Sequence, residues 1–326
     1  MKVAIATLGT QGDVQPYMAL ALELERRGHE VVLGSNSDFE GFVTSHGLKF
    51  HNLEIEIQSF IAQGPVEQIV AKGAIFNIPG LFMTGQRMVD HATQRAWEMA
   101  QGADILLINM NTTFGIDIAE ALDIPVAVAA PQPLNTTSEF PLCAYSGPTL
   151  GGTLNRASYG FMKVQQAYYN ISRNRQRQRV MGLGPLSSRG FFKGSDGSYL
   201  PTLYCYSSIV APRPSDWPET SVVTGYWQLE DRTGWEPTPE FRAFLDAGPA
   251  VYIGFGSMPY GTERNTQLLR DGIALWGGRA VVARGWGGID TDKLGDQVFA
   301  IEAAPHDKLF PLVQAVVHHG LSLIHI

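Results

Sequence analysis

The amino-acid sequence predicts an α/β protein built from two parallel-sheet domains. Three observations lead there. A strand, a glycine-containing turn, a helix and a second strand follow one another within residues 1–34; the same alternation recurs to about residue 130; and it starts afresh at Ala250. Alternation of this kind builds parallel sheets.

The opening strand is Val3–Leu8, a short β-branched and aliphatic run that ends at Gly9, as in a strand buried on both faces. Met18, Ala21, Leu22 and Leu24 then recur at helical spacing between Tyr17 and Arg27, with Pro16 suited to the first turn and Gly28 to the stop. Glu30–Leu33 returns to strand, Asp38–His46 to helix and Leu48–Leu53 to strand. Met83–Gln101 reads as a long helix, Asp104–Asn109 and Pro125–Ala130 as strands, and Phe114–Leu122 as the helix between them.

From Pro131 to Pro201, Pro, Gly, Ser and aromatic residues replace the alternation, apart from a helix from about Asn155 to Met181; the stretch reads as an insertion. Arg173, Arg175, Arg177 and Arg179 alternate within it and read as a solvated face. Leu203–Ser207 and Val222–Gly225 are further strands. Residues 1–228 therefore form the first domain and the acidic, proline-containing residues 229–249 a linker, helical at Pro239–Ala247. Residues 250–326 begin a second domain: strands at Val251–Phe255, Ala280–Ala283, Phe299–Glu302 and Ala315–His318, and a helix at Glu263–Trp276.

Composition narrows the classes. With 44% hydrophobic and 17% charged residues the chain can bury a core. Its net charge of −7 disfavours nucleic acid and anionic lipid as partners. Cys143 and Cys205 lie far apart, with neither zinc-ligand nor disulfide-framework spacing, which suits a reducing compartment. The N-terminus is too short in apolar residues for a signal peptide, and no run is long enough to span a bilayer, so a cytoplasmic location is expected.

The first chemical motif is Gly9-Thr10-Gln11-Gly12-Asp13-Val14-Gln15-Pro16, between the first strand and its helix. Its glycines let backbone approach a ligand, and N–H groups at the coming helix can face an anion. It is neither a dinucleotide fingerprint nor a Walker loop. Asp13 has two readings, a cap of the following helix or a general base at the mouth of the sheet. The second motif, Val251–Met258, is a strand ending in Gly256-Ser257. Asp290-Thr291-Asp292 has the form of a metal-binding pair on nucleotide sugars, but in a loop before Lys293 it reads as structural, and no metal is expected.

Gly9–Pro16, with Leu20-Ala21-Leu22 and Arg27-Gly28-His29-Glu30-Val31, resembles the N-terminal signature of the glycosyltransferase family 28 domain, as found in sterol glucosyltransferases and enzymes that glycosylate glycopeptide antibiotics. Downstream, Arg284-Gly285-Trp286-Gly287-Gly288, Ala304–Pro311 with its Pro305-His306 pair, and Val316-Val317-His318-His319-Gly320 resemble that family's donor-domain segments, in order.

The resemblance implies a GT-B fold, two Rossmann-like domains facing a cleft with the second incomplete. It also implies an inverting hexosyl transfer from a nucleoside diphosphate sugar, UDP-glucose by family expectation, with no further cofactor. Asp13 is the implied base, and Gly9, Thr10, Gln11, Gly12, Gly256, Ser257, Trp286, His306, His318 and Gly320 the implied donor-binding residues. The apolar segment Ile69–Met88, with Ile75, Phe76, Phe82 and Met83, either lines the pocket of a lipophilic acceptor, such as a sterol, and touches a bilayer peripherally, or packs in the core. A polyketide or peptide aglycone is the alternative acceptor; a nucleotide-sugar epimerase or an inactive truncated binding protein are the rival classes. Relatives continue with Gly-Ala-Gly-Thr where this chain reads Leu321–Ile326 and stops, so a truncated frame is expected, with a tail like the translation of a transposon end used in preparing sequencing libraries.

Overall fold

The computed structural model describes residues 1–56, 78–143, 145, 150–186, 192–256, 262–285 and 289–318, with backbone alone at 78–86, 161, 163–165 and 167–169. The chain divides into two compact units, one comprising Met1–Ile55 and Phe82–Leu229, the other including Glu230–Ile326.

The first unit holds a seven-stranded sheet: β1 (Lys2–Ala6), β2 (Glu30–Ser35), β3 (Lys49–Asn52), β4 (Ile105–Ile108), β5 (Val126–Ala130), β6 (Thr202–Tyr204) and β7 (Ser221–Val223). Their spatial order is β3-β2-β1-β4-β5-β6-β7, with every pair parallel. The helices are α1 (Gln11–Arg26), α2 (Glu40–Ser45, after a 3-10 turn at Ser37–Phe39), α3 (Ile78–Ala100), α4 (Gly115–Leu122), α5 (Gly152–Ser158) and α6 (Gly160–Arg179). The order reverses at β1: β2 lies on one side and β4 on the other. That is the topological switch point where open α/β sheets bind ligands.

Three expectations change. Residues Gly9–Pro16 are not a loop before a helix at Tyr17; α1 already starts at Gln11, and Pro16 lies inside it. The first turn lacks the apolar period because it is spent on the sheet edge rather than the core, which is why periodicity started the helix late. Residues 131–201 are not an insertion outside the sheet repeat, since α6 is part of the crossover between β5 and its parallel neighbour β6.

The arginine run, third, is not a solvated face. Arg173 and Arg177, one turn apart, are 4% and 2% exposed and both bind Asp117 of α4, itself 1% exposed. Arg173 makes a bidentate pair with Asp117 at 2.7 and 2.9 Å, and Arg177 adds Glu120 at 3.0 Å and the Gly184 carbonyl at 2.8 Å. Alternate arginines do spread round a helix, but i and i+4 share one face, and here that face meets a buried carboxylate.

The second unit carries β8 (Ala250–Gly254), β9 (Arg279–Ala283), β10 (Val298–Ile301) and β11 (Ala315–His318) in the parallel order β10-β9-β8-β11. Helix α7 (Pro239–Asp246) starts within the expected linker, with Pro239 in its first turn and Thr238 Oγ1 accepting the Phe241 N–H at 3.2 Å. Phe241 is buried with Ala250, Tyr252 and Val281 on one face of the sheet, so residues 239–246 pack as part of this unit. The opposite face packs Ile253, Ala280 and Val282 against Leu269 and Ile273 of α8 (Thr262–Trp276). A short helix, α9 (His306–Leu309), follows β10. Strand β8 has β9 on one side and β11 on the other, so this sheet also has its switch point at its first strand.

Candidate active site

The first unit's site is assembled where β1, β2 and β4 end. Asn109 and Asn111, just past β4, both donate their side-chain amides to the Leu8 carbonyl at 2.8 Å, and Thr112 Oγ1 donates to the Ala6 carbonyl at 2.8 Å. Asn36, just past β2, accepts the Gly9 N–H at 3.4 Å. Asn36, Asn109 and Thr112 are buried. These residues hold Leu8–Thr10 in place and were not foreseen; the available signal was polar residues directly after buried strand runs, as in Ser35-Asn36 and Ile108-Asn109.

Asp13 lies in the first turn of α1, half-buried, and its two sequence readings turn out compatible. Oδ2 accepts the Thr10 backbone N–H at 2.9 Å and the Thr10 hydroxyl at 3.3 Å, as in a capping box. Oδ1 has no hydrogen-bond partner among the described residues. The Thr7 hydroxyl donates to the Asp13 backbone carbonyl. Gly9 has φ +145°, and a Cβ there would collide with the Asp13 carboxylate, so this glycine makes room for the acid. Burial raises the Asp13 pKa above the ordinary carboxylate range, against the opposing pull of the Thr10 hydrogen bonds.

One turn on, Tyr17 is fully buried, donates its hydroxyl to the Ala129 carbonyl of β5 and meets Trp227 edge-on at 6.2 Å. Burial, with the nearby Cys205 and Asp13, holds its phenol protonated. Burial pushes the Cys205 thiol up to about 12. Among the expected donor residues here, Thr10 is the N-cap of α1, while Gln11 and Gly12 begin the helix with N–H groups that have no intrahelical acceptor. The Gln11 amide turns to Gln15 Oε1 at 3.2 Å.

In the second unit, Gly256 follows β8, Gly285 follows β9, His306 opens α9 after β10, and His318 ends β11. All four belong to the carboxyl edge of one parallel sheet. His318 is paired in register with Gly254, so Gly256 and His318 flank the switch point. A Cβ on Gly285 (φ +60°) would run into the Gly256 carbonyl, so the two turns need glycine to approach this closely. His306 stacks on Phe310 at 4.6 Å and meets Tyr252 at 5.9 Å; its burial lowers its pKa, leaving it neutral at pH 7.

Asp290 pairs with Lys293 at 2.7 Å and Asp292 lies 3.7 Å from Arg284, so the Asp-x-Asp carboxylates meet cations; among the described residues no cluster of acidic, His and Cys side chains could hold a metal. Ser257, Trp286, Gly320, Ile75 and Phe76 lie outside the described residues. Phe82 and Met83 belong to helix α3, which starts at Ile78 rather than at Met83, and only their backbone is described.

Residues 3–141 match the glycosyltransferase family 28 N-terminal domain. The chain is similar to the sterol 3-beta-glucosyltransferases of Leptosphaeria maculans (32% identity, 99% of this chain, 23% of that protein) and Arabidopsis thaliana (32%, 98% and 53%). The chain spans about a quarter to a half of the length of these relatives. The crystal structure of SsfS6, a Streptomyces sp. SF2575 glycosyltransferase complexed with thymidine diphosphate, superposes with a TM-score of 0.56 at 17% identity, covering 99% of this chain and 77% of that one. The fold is GT-B.

Proposed function

We propose that this chain supplies the acceptor-binding unit and the start of the donor-binding unit of an inverting glycosyltransferase. The enzyme moves a hexose from a nucleoside diphosphate sugar to a hydroxyl of a lipophilic acceptor, a sterol or similar lipid alcohol. One observation carries the reading: at the first sheet's switch point Asp13 is fixed through Oδ2 and has Oδ1 left over to take a proton.

In the reaction the acceptor oxygen attacks the anomeric carbon and the bond to the diphosphate breaks. The hydroxyl proton passes to Asp13 and the diphosphate leaves as an anion. A carboxylate whose pKa burial has raised is the better base for this step. A single displacement inverts the anomeric centre, and one carboxylate suffices for it. For the leaving diphosphate, the turns at Gly256, Gly285 and His318 offer backbone and side-chain donors at a sheet edge, an arrangement that serves anions without a metal. Neutral His306 offers an N–H rather than a charge.

The acceptor class is supported by the sterol 3-beta-glucosyltransferase relatives. UDP-glucose is the proposed donor; the thymidine diphosphate of SsfS6 makes TDP-glucose the comparison substrate. A cytoplasmic enzyme that meets its lipid acceptor at a membrane surface fits this reading, and among the described residues no helix is long and apolar enough to cross a membrane. The test is a transfer assay of wild type and Asp13→Asn with UDP-glucose, TDP-glucose and cholesterol, the product anomer being read by NMR. Wild type should form the β-glucoside, and the variant should lose about 10²–10⁴-fold in kcat with nucleotide affinity kept. Undiminished turnover by the variant removes Asp13 from the role, and a nucleotide sugar isomerised without transfer would make the protein an epimerase.

A further inference from the structure

Two buried polar atoms at the carboxyl edge of the first sheet have no hydrogen-bond partner among the described residues, Gln132 Oε1 and Tyr206 Oη. Buried side-chain polar atoms are paired in the large majority of cases, so each orphan calls for an explanation. The surroundings sharpen the point, because nearby polar groups already have partners of their own. Tyr204 Oη accepts the Asn135 N–H at 3.0 Å, the Asn135 amide donates to Ser221 Oγ at 2.6 Å, and Trp217 Nε1 donates to the Asn135 carbonyl at 3.0 Å. Tyr159 Oη donates to the Phe140 carbonyl at 3.4 Å.

The two orphans also belong together. Gln132 comes two residues after β5 and Tyr206 two residues after β6; Ala130 is paired with Tyr204, and Cys205 N–H donates to the Ala130 carbonyl at 3.0 Å. The parallel register therefore carries both to the same height beyond the sheet. Tyr206 is 3% exposed and is held with its ring 5.6 Å from Tyr204, which stacks on Trp217 at 4.4 Å. Cys205, next to Tyr206, is within electrostatic reach of Asp13, and Tyr17 of α1 is anchored on Ala129 of β5. The orphan pair thus borders the end of the sheet where Asp13 sits.

We infer that Gln132 and Tyr206 hydrogen-bond an alcohol oxygen of the acceptor, Tyr206 donating its phenolic proton and Gln132 accepting the proton of the alcohol. An alcohol both accepts and donates, so it satisfies the two atoms at once; a ketone oxygen would serve Tyr206 and leave Gln132 Oε1 unpaired. The inference rests on the acceptor-binding reading above. The oxygen is either the reacting hydroxyl, whose hydrogen then turns from Gln132 to Asp13 as the oxygen attacks, or a second one on the same molecule.

Equilibrium binding of cyclodextrin-solubilised cholest-5-ene, cholesterol and 25-hydroxycholesterol to the 326-residue chain separates the cases. Tyr206→Phe and Gln132→Leu should each weaken cholesterol about 5- to 10-fold and leave cholest-5-ene unchanged. Without sterol, both variants should melt no lower than wild type, since each removes an unpaired buried polar atom. A loss confined to 25-hydroxycholesterol assigns the pair to a second hydroxyl and still supports the site. Unchanged affinity for both hydroxylated sterols, an equal loss for cholest-5-ene, or a lower melting temperature in both variants overturns it. A wild-type chain that binds none of the three removes the lipophilic-acceptor reading itself, whereas a wild type that binds them no better than its variants removes only the present inference.

Discussion

Asp13 and Gly9 form a unit whose parts cannot be changed separately. The carboxylate lies where a Gly9 side chain would be, and Gly9 has a backbone conformation that L side chains rarely adopt. Gly9→Ala should therefore destabilise the protein by about 1–3 kcal/mol in a denaturant titration and lower kcat by displacing the acid. The raised Asp13 pKa fixes two signs. In the proposed role Asp13 acts ionised, so kcat/KM should fall as pH drops through a value above the ordinary carboxylate pKa of about 3.9. The folded state holds this proton more tightly than the unfolded one, so the associated stabilisation is present at low pH and lost as pH rises through the folded pKa. Asp13→Asn, which keeps an acceptor for the Thr10 N–H and cannot ionise, should melt no lower than wild type at pH 7; Asp13→Ala, which loses the cap, should melt lower by about 1 kcal/mol. Most of this was readable early, because Thr10-x-x-Asp13 already has the spacing of a capping box. The collision that demands Gly9 was not, since it depends on which way the carboxylate turns.

At the level of elements, the clearest energetic feature is the crossing of α4 and α6. Two arginines converge on one buried aspartate, with Glu120 sharing Arg177. Removing one partner of a buried pair leaves a charge without compensation, a loss of about 3–5 kcal/mol. Asp117→Asn, which takes from the buried Arg173 its ion pair, should show that loss in urea unfolding, with a smaller effect from Arg175→Met, whose partner Asp90 and own side chain are partly exposed. The sequence gives no sign of Asp117: it lies in a short amphipathic helix, and its partners come 56 and 60 positions later. Strands fared better than helix starts, because a strand buried on both faces announces itself as an unbroken apolar run, as Ile105–Ile108 and Val126–Ala130 do.

For the whole molecule, the division into units predicts how functions separate. Gly285→Ala, which would press on the Gly256 carbonyl, should weaken UDP and TDP binding by at least about 10-fold in calorimetry and leave cholesterol affinity unchanged. Asp13→Asn should leave nucleotide affinity unchanged. In nucleotide affinity the double variant should then match Gly285→Ala, since effects of independent sites add. A drop in cholesterol affinity from Gly285→Ala would show that the two units do not bind their ligands independently.

By itself the sequence determined the parallel α/β class, the restart of the pattern at Ala250 and the glycine turns that follow β1, β8 and β9. These are written in local features, namely apolar runs, glycines at turns and a cap at fixed spacing. Only the tertiary structure decided that the asparagines after β2 and β4 hold the Asp13 turn, that α7 packs with the second unit, that alternating arginines bury half their number, and that Gln132 and Tyr206 are left without partners. Each of these depends on which distant segments meet, and that follows from strand order and helix packing rather than from any residue's immediate neighbours.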